Sequence, residues 1–200
     1  SRPGILTDDK GNASDKNGFP DNDAPKRPEK IEADVIRFKN NEEEWIAVVG
    51  LYNGKPYEIF TGRASDFYLP PTIKKGWVLR VKVSTEEPAR YDFIFVDKQG
   101  YNITIQGLSR MFKEEYWDYA KLISGILRHG MPIPHVVALI SKLRLGGDNI
   151  ATWKSGVARA LKKYIKEGTK SKGTCPNCHS NDFIYTDGCP RCTNCGFTFC

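Results

Sequence analysis

All six cysteines of this 200-residue chain lie between positions 175 and 200. Cys175-Pro-Asn-Cys178 and Cys192-Thr-Asn-Cys195 each place two sulfurs on one tight turn, and the apolar Phe183-Ile184-Tyr185 between them suits a small hairpin. Paired CxxC turns at this separation supply the four thiolates that a structural zinc ion takes in tetrahedral geometry. The C-terminus is therefore constrained to a small zinc-ribbon-like unit, with zinc as the expected cofactor and Cys175, Cys178, Cys192 and Cys195 as its ligands. Gly196, directly after the second cysteine, favours 192/195 as the second knuckle. Cys189-Pro-Arg-Cys192 is also a CxxC unit, and taking it as the knuckle would leave Cys195 and Cys200 free. Either way two thiols remain. Cys189 and Cys200 are the spare pair by count, and the Cys195–Cys200 spacing offers a rival. His179, beside Cys178, reads as a solvated neighbour rather than a ligand.

Upstream of the tail the sequence changes period once. Residues 1–26 are rich in Asp, Asn, Gly, Lys and Pro and have almost nothing to bury, so they read as a disordered linker with something preceding it. Strands are expected at 34–39, 44–51, 57–61, 77–83, 90–96 and 101–106, with Asn53-Gly54 turning one hairpin because both residue types accept positive φ. Asp97-Lys98-Gln99-Gly100 turns the last pair. From Leu108 onward apolar residues recur every three or four positions, which is helical. Ser109 is read as the first cap and Gly130 as the first stop. A second helix follows Pro132 and Pro134. Gly146-Gly147 breaks the chain, with Asp148 or Asn149 as the next cap, and a third helix carries Trp153, Val157, Leu161 and Ile165 on one side. Gly168 is expected to end it. The four tryptophans are assigned to the core. The fold class is α+β: an antiparallel β-rich unit (with its helices, 27–168), about three helices, then a flexible basic tether and ribbon (169–200).

Charge is uneven. Residues 1–50 carry eight Lys/Arg against eleven Asp/Glu, whereas residues 151–200 carry eight against three. A basic surround stabilises thiolates and also attracts nucleic acid. With Phe197 and Phe199 near the ribbon tip as stacking surfaces, a nucleic-acid-binding ribbon with a basic helix is the alternative function. No apolar run approaches the length of a membrane span. Cysteines confined to one short segment do not form a secreted disulfide framework, which points to a reducing cytoplasm. Phosphate-binding, HExxH and GxSxG motifs are absent from the sequence, and His129 and His135 flank a helix break without a ligand pair beside them.

Three segments together carry a family likeness: Lys26-Arg27-Pro28-Glu29-Lys30, Asn53-Gly54-Lys55-Pro56-Tyr57-Glu58-Ile59-Phe60, and Ala120-Lys121-Leu122-Ile123-Ser124-Gly125-Ile126-Leu127-Arg128-His129-Gly130. In this order, and followed by a cysteine-rich tail, they resemble the C-terminal region of adenosylcobalamin-dependent ribonucleotide reductases. The resemblance covers about residues 26–200. It implies that the tail re-reduces an active-site disulfide in a catalytic barrel, with thioredoxin or glutaredoxin as reductant. Cys200 is then a redox thiol with Cys189 or Cys195 as partner. Adenosylcobalamin is implied for the parent enzyme. This chain lacks that family's barrel, so no radical cysteine or nucleotide pocket is assigned. The Arg-x-x-Gly-Tyr motif of glycyl-radical reductases is also missing.

Overall fold

In the computed structural model, residues 6–7, 13–14, 21–111, 114–145 and 152–200 are described. Two short strands, β1 (Leu6–Thr7) and β2 (Ala13–Ser14), pair antiparallel near the N-terminus. Next come β3 (Lys30–Asn40), β4 (Glu43–Tyr52), β5 (Lys55–Arg63), β6 (Lys75–Val81), β7 (Arg90–Val96) and β8 (Asn102–Ile105). They form one antiparallel sheet in the order β5-β4-β3-β6-β7-β8. Asn53 and Gly54 sit at φ 49° and 78°, the double left-handed turn that the right-handed twist of a hairpin favours. The Asp97–Gly100 turn also forms, closed by hydrogen bonds from Gly100 N to Asp97 O and from Asp97 N to Tyr101 O.

The continuous apolar run Trp45–Val49 is buried on both faces of the sheet. Trp45, Ala47 and Val49 join Phe38 and Ile59 beneath the helices. Ile46 and Val48 face a second core with Val35, Phe60, Phe67, Val78 and Phe93. The sheet also curls. Although three strands separate β5 from β7 in the sheet order, Phe60 and Tyr91 bring their ring centroids within 5.2 Å. Arg27 spans the same gap. Its guanidinium holds Glu58 of β5 through two hydrogen bonds of 3.0 and 2.7 Å and reaches the Val78 carbonyl of β6 at 3.3 Å. Both side chains of this ion pair are buried.

The helices are α1 (Leu108–Met111), α2 (Glu114–Arg128), α3 (Ile133–Ser141) and α4 (Trp153–Lys162). Ser124 pins α2 to β5: its hydroxyl accepts from Ile59 N at 3.0 Å and donates to the Ala120 carbonyl at 2.7 Å. Gly130, at φ 81°, ends the α2 segment, and Pro132 caps α3. Ser109 does not cap. It lies inside the short α1, which begins one residue earlier, after Gly107 at φ 68°. The expected caps Asp148 and Asn149 and the Gly146-Gly147 break fall outside the described residues. Thr152 caps α4, its hydroxyl accepting from Ser155 N. The helix ends at Lys162, well before Gly168, because the chain turns there to meet the ribbon.

α4 lies directly on β3. A Cβ on Gly156 would overlap the Phe38 ring. Trp153 donates from its indole to Thr61 Oγ1 at 2.9 Å, and its backbone N–H donates to Asn40 Oδ1 at 3.1 Å. Trp45 and Trp153 are core residues as expected, while Trp77 and Trp117 are half-buried. Trp77 lies under the Lys30 ammonium, 4.9 Å from the ring centroid. The basic side of α4 is narrower than its sequence implies, since Lys154 and Lys162 are half-buried and Lys154 donates to the Leu143 carbonyl.

The tail is a second sheet of β9 (Lys170–Ser171), β10 (Phe183–Thr186) and β11 (Cys189–Cys192), in the order β11-β10-β9. The segment expected to be a flexible tether supplies β9. Gly168 N donates to Tyr185 O at 2.9 Å, and Tyr185 N donates to Thr169 O at 2.8 Å. Asp187 and Gly188 turn the β10–β11 hairpin at φ 50° and 77°. That turn packs so closely on the end of α4 that a Cβ on Gly188 would lie 2.7 Å from the Lys162 carbonyl oxygen. Residues 21–26 also touch the body: Tyr57 donates to Pro25 O at 2.8 Å, and Asn22 O lies 2.6 Å from His129 Nδ1. No helix among the described residues is long and apolar enough to cross a membrane.

Candidate functional site

The two knuckles share one backbone plan. In the first, Cys175 O accepts from His179 N, and His179 adopts φ 60°. In the second, Cys192 O accepts from Gly196 N, and Gly196 adopts φ 78°. The fourth residue after each leading cysteine must be left-handed for the turn to present both sulfurs. Glycine does this without strain, whereas His179 takes the same conformation at a cost. His179 is thus an exposed turn residue, outside the thiol cluster.

The turns bring the sulfurs of Cys175, Cys178, Cys192 and Cys195 within 4.8 Å of one another. Cys175 Sγ lies 3.5 Å from Cys195 Sγ, and Cys178 Sγ lies 3.6 Å from Cys192 Sγ. Four thiolates about 2.3 Å from a zinc ion in tetrahedral array stand roughly 3.8 Å apart, so the residues fit zinc. Cys175 and Cys192 are buried with Phe183 in the small ribbon core. Burial pushes the Cys175 thiol up to about 11. The Asn177 side chain, then the Phe197 backbone N–H, hold Cys195 down at about 6. Asn194 and the Ser180 backbone lower Cys178. Backbone and amide donors aimed at sulfur favour the thiolate, the form that binds metal.

Cys189-Pro-Arg-Cys192 is not a knuckle, because it is strand β11. Residues three apart in a strand point to opposite faces, so Cys192 faces the cluster and Cys189 does not. The last residues run back along β11: Arg191 and Thr198 form an antiparallel bridge, and Phe199 N donates to Pro190 O at 3.0 Å. Continuing that register places Cys200 opposite Cys189. The two are joined in a disulfide, with their Cα atoms 5.6 Å apart. Cys195, the rival partner, sits in the four-sulfur cluster. Phe197 and Phe199 pack on each other with centroids 5.1 Å apart, and Phe199 packs on Phe183 at 5.3 Å. Phe197 packs against the ribbon core, whereas Phe199 keeps 45% of its surface exposed.

The family model described as "NrdJ homologue C-terminal domain" matches residues 31–166. The chain belongs to this family. The matched span of the NrdJ homologue domain runs from the first residues of β3 to just beyond α4. It therefore covers the curled sheet and its helices and leaves the cysteine ribbon outside. No curated protein and no solved structure matches the chain. What sequence reasoning missed is the Arg27–Glu58 pair, which ties the segment just before the matched span to β5 inside it. Both residues lie in segments that carry the family likeness, but only the curl of the sheet brings them together. No local signal marked them: Arg27 is one of four charges in Lys26–Lys30, and Glu58 interrupts the apolar Tyr57–Phe60 run of β5.

Proposed function

We propose that this chain is the C-terminal part of a ribonucleotide reductase whose tail cysteines carry electrons to the catalytic barrel. The observation behind this reading is the division of six cysteines into a four-sulfur cluster and a separate Cys189–Cys200 pair at the chain end. Cys175, Cys178, Cys192 and Cys195 hold zinc, which supplies structure by fixing the base of β11. With its sulfur committed there, Cys195 takes no part in exchange.

In the working cycle the Cys200 thiolate attacks one sulfur of the barrel's disulfide and releases the other as a thiolate. A mixed disulfide forms. Cys189 then attacks Cys200 of that bond, freeing the second barrel thiol and leaving Cys189–Cys200 oxidised. Two electrons and two protons have passed from the tail to the barrel. The dithiol of thioredoxin or glutaredoxin reduces Cys189–Cys200 by the same exchange. Partial exposure of Cys189 and exposure of Cys200 suit both steps. Adenosylcobalamin belongs, on the family likeness, to the barrel, and no residue of this chain is assigned to it.

The test is turnover by the intact reductase carrying Cys189→Ser or Cys200→Ser. Each variant should lose thioredoxin-driven turnover, keep turnover with a small dithiol that enters the barrel directly, and retain zinc. Normal turnover with thioredoxin in either variant overturns the proposal.

A further inference from the structure

The curled sheet does not close. Between β5 on one side and the β6–β7 end on the other lies a cavity of about 280 Å³, roofed by α2. Mouths of incompletely closed barrels are common ligand sites, and this volume suits one ring system rather than two. The walls are aromatic. Phe60, Tyr91 and Trp117 pack as a cluster, with Trp117 centred 5.5 Å from Phe60 and 6.4 Å from Tyr91.

The rim is cationic: Arg80 from β6, with Lys121 and Arg128 from α2. The single carboxylate among the described lining residues is Glu58, which Arg27 already neutralises. Arg80 and Lys121 have no side-chain hydrogen bond or ion pair among the described residues. Arg128 is held in place, its Nε donating to Ser124 O at 3.2 Å and its guanidinium lying 5.6 Å from the Tyr57 centroid. Three cations around one opening repel one another unless an anion joins them. Aromatic walls beneath a cationic rim select a ligand with a flat ring and a negative group.

We propose that this cavity binds a small aromatic phosphate of mononucleotide size. The ring rests against Trp117 and Tyr91, and the phosphate is held by Arg80, Lys121 and Arg128. The site is remote in sequence from the tail thiols and needs none of them, so it stands or falls separately from the redox reading.

Calorimetric titration of the full chain with AMP and with UMP tests it, with adenosine and inorganic phosphate as half-ligands. Either nucleotide should bind saturably, at least about tenfold more tightly than either half-ligand. Arg80→Gln and Lys121→Gln, both at exposed positions, should each weaken binding by about tenfold without changing the melting temperature. Absence of saturable binding by both nucleotides overturns the proposal. So does undiminished binding in the Arg80→Gln/Lys121→Gln double variant, or tighter binding of a short oligonucleotide than of either mononucleotide.

Discussion

Two single residues show how much the interior depends on exact pairing. Among the described residues, Arg27 is the one cation paired with the buried Glu58 carboxylate, through two hydrogen bonds. Removing one partner of such a pair strands the other charge out of water. Arg27→Met should therefore lower unfolding free energy by about 3 kcal/mol in urea titration, whereas Arg27→Met/Glu58→Leu should regain most of that loss. Equal loss in both would show that the pair's charge is not what matters. Tyr164 donates to Asp34 Oδ2 at 2.6 Å, tying the chain after α4 to β3. Burial first, and then Asp34, raises its phenol well above the usual tyrosine range. A raised folded-state pKa means full stabilisation below the unfolded value near 10 and loss as pH climbs above it. Tyr164→Phe should cost about 1 kcal/mol at neutral pH, and the difference from the parent should shrink as pH rises past about 10.

At the scale of elements, the strands were legible because period-two patterning, Asn53-Gly54 and Asp97–Gly100 are local signals. The boundaries of α4 were not. Its apolar spacing runs on through Ile165, but the helix stops at Lys162, where the β10–β11 turn seats against its end. Nothing within the helix sequence records that neighbour. Gly188 is the residue that permits the contact, being left-handed and so close to α4 that a Cβ would lie 2.7 Å from the Lys162 carbonyl oxygen. Gly188→Ala should lift the ribbon from α4. Amide exchange at Gly168 and Tyr185 should accelerate, while the melting temperature of the sheet and its helices stays within a degree or two. Part of the segment expected to be a tether is strand for a related reason. Lys170 and Ser171 have no strand signature, and their strand exists only because β10 offers them an edge.

For the whole molecule, the body and the ribbon differ in what stabilises them. The body has two large cores on either side of β4, whereas the ribbon's buried core is Cys175, Phe183 and Cys192. A core that small does not sustain a fold without metal. A strong chelator should release one zinc per chain and unfold the ribbon. Tryptophan fluorescence should hardly change, because Trp45, Trp77, Trp117 and Trp153 all lie in the body. Loss of the body's signal at the same chelator concentration would contradict this division. From the sequence alone come the α+β class, the hairpin turns, the four-cysteine cluster and the confinement of all six cysteines to the tail. These follow from spacing and from the conformations that Gly, Asn and Pro allow, which are properties of neighbouring residues. The curl that pairs Arg27 with Glu58 and opens the aromatic cavity was decided only in three dimensions, as was the register that sets Cys200 opposite Cys189. Each depends on strands meeting across dozens of residues, or on a chain end folding back, and contacts of that kind leave no local pattern to read.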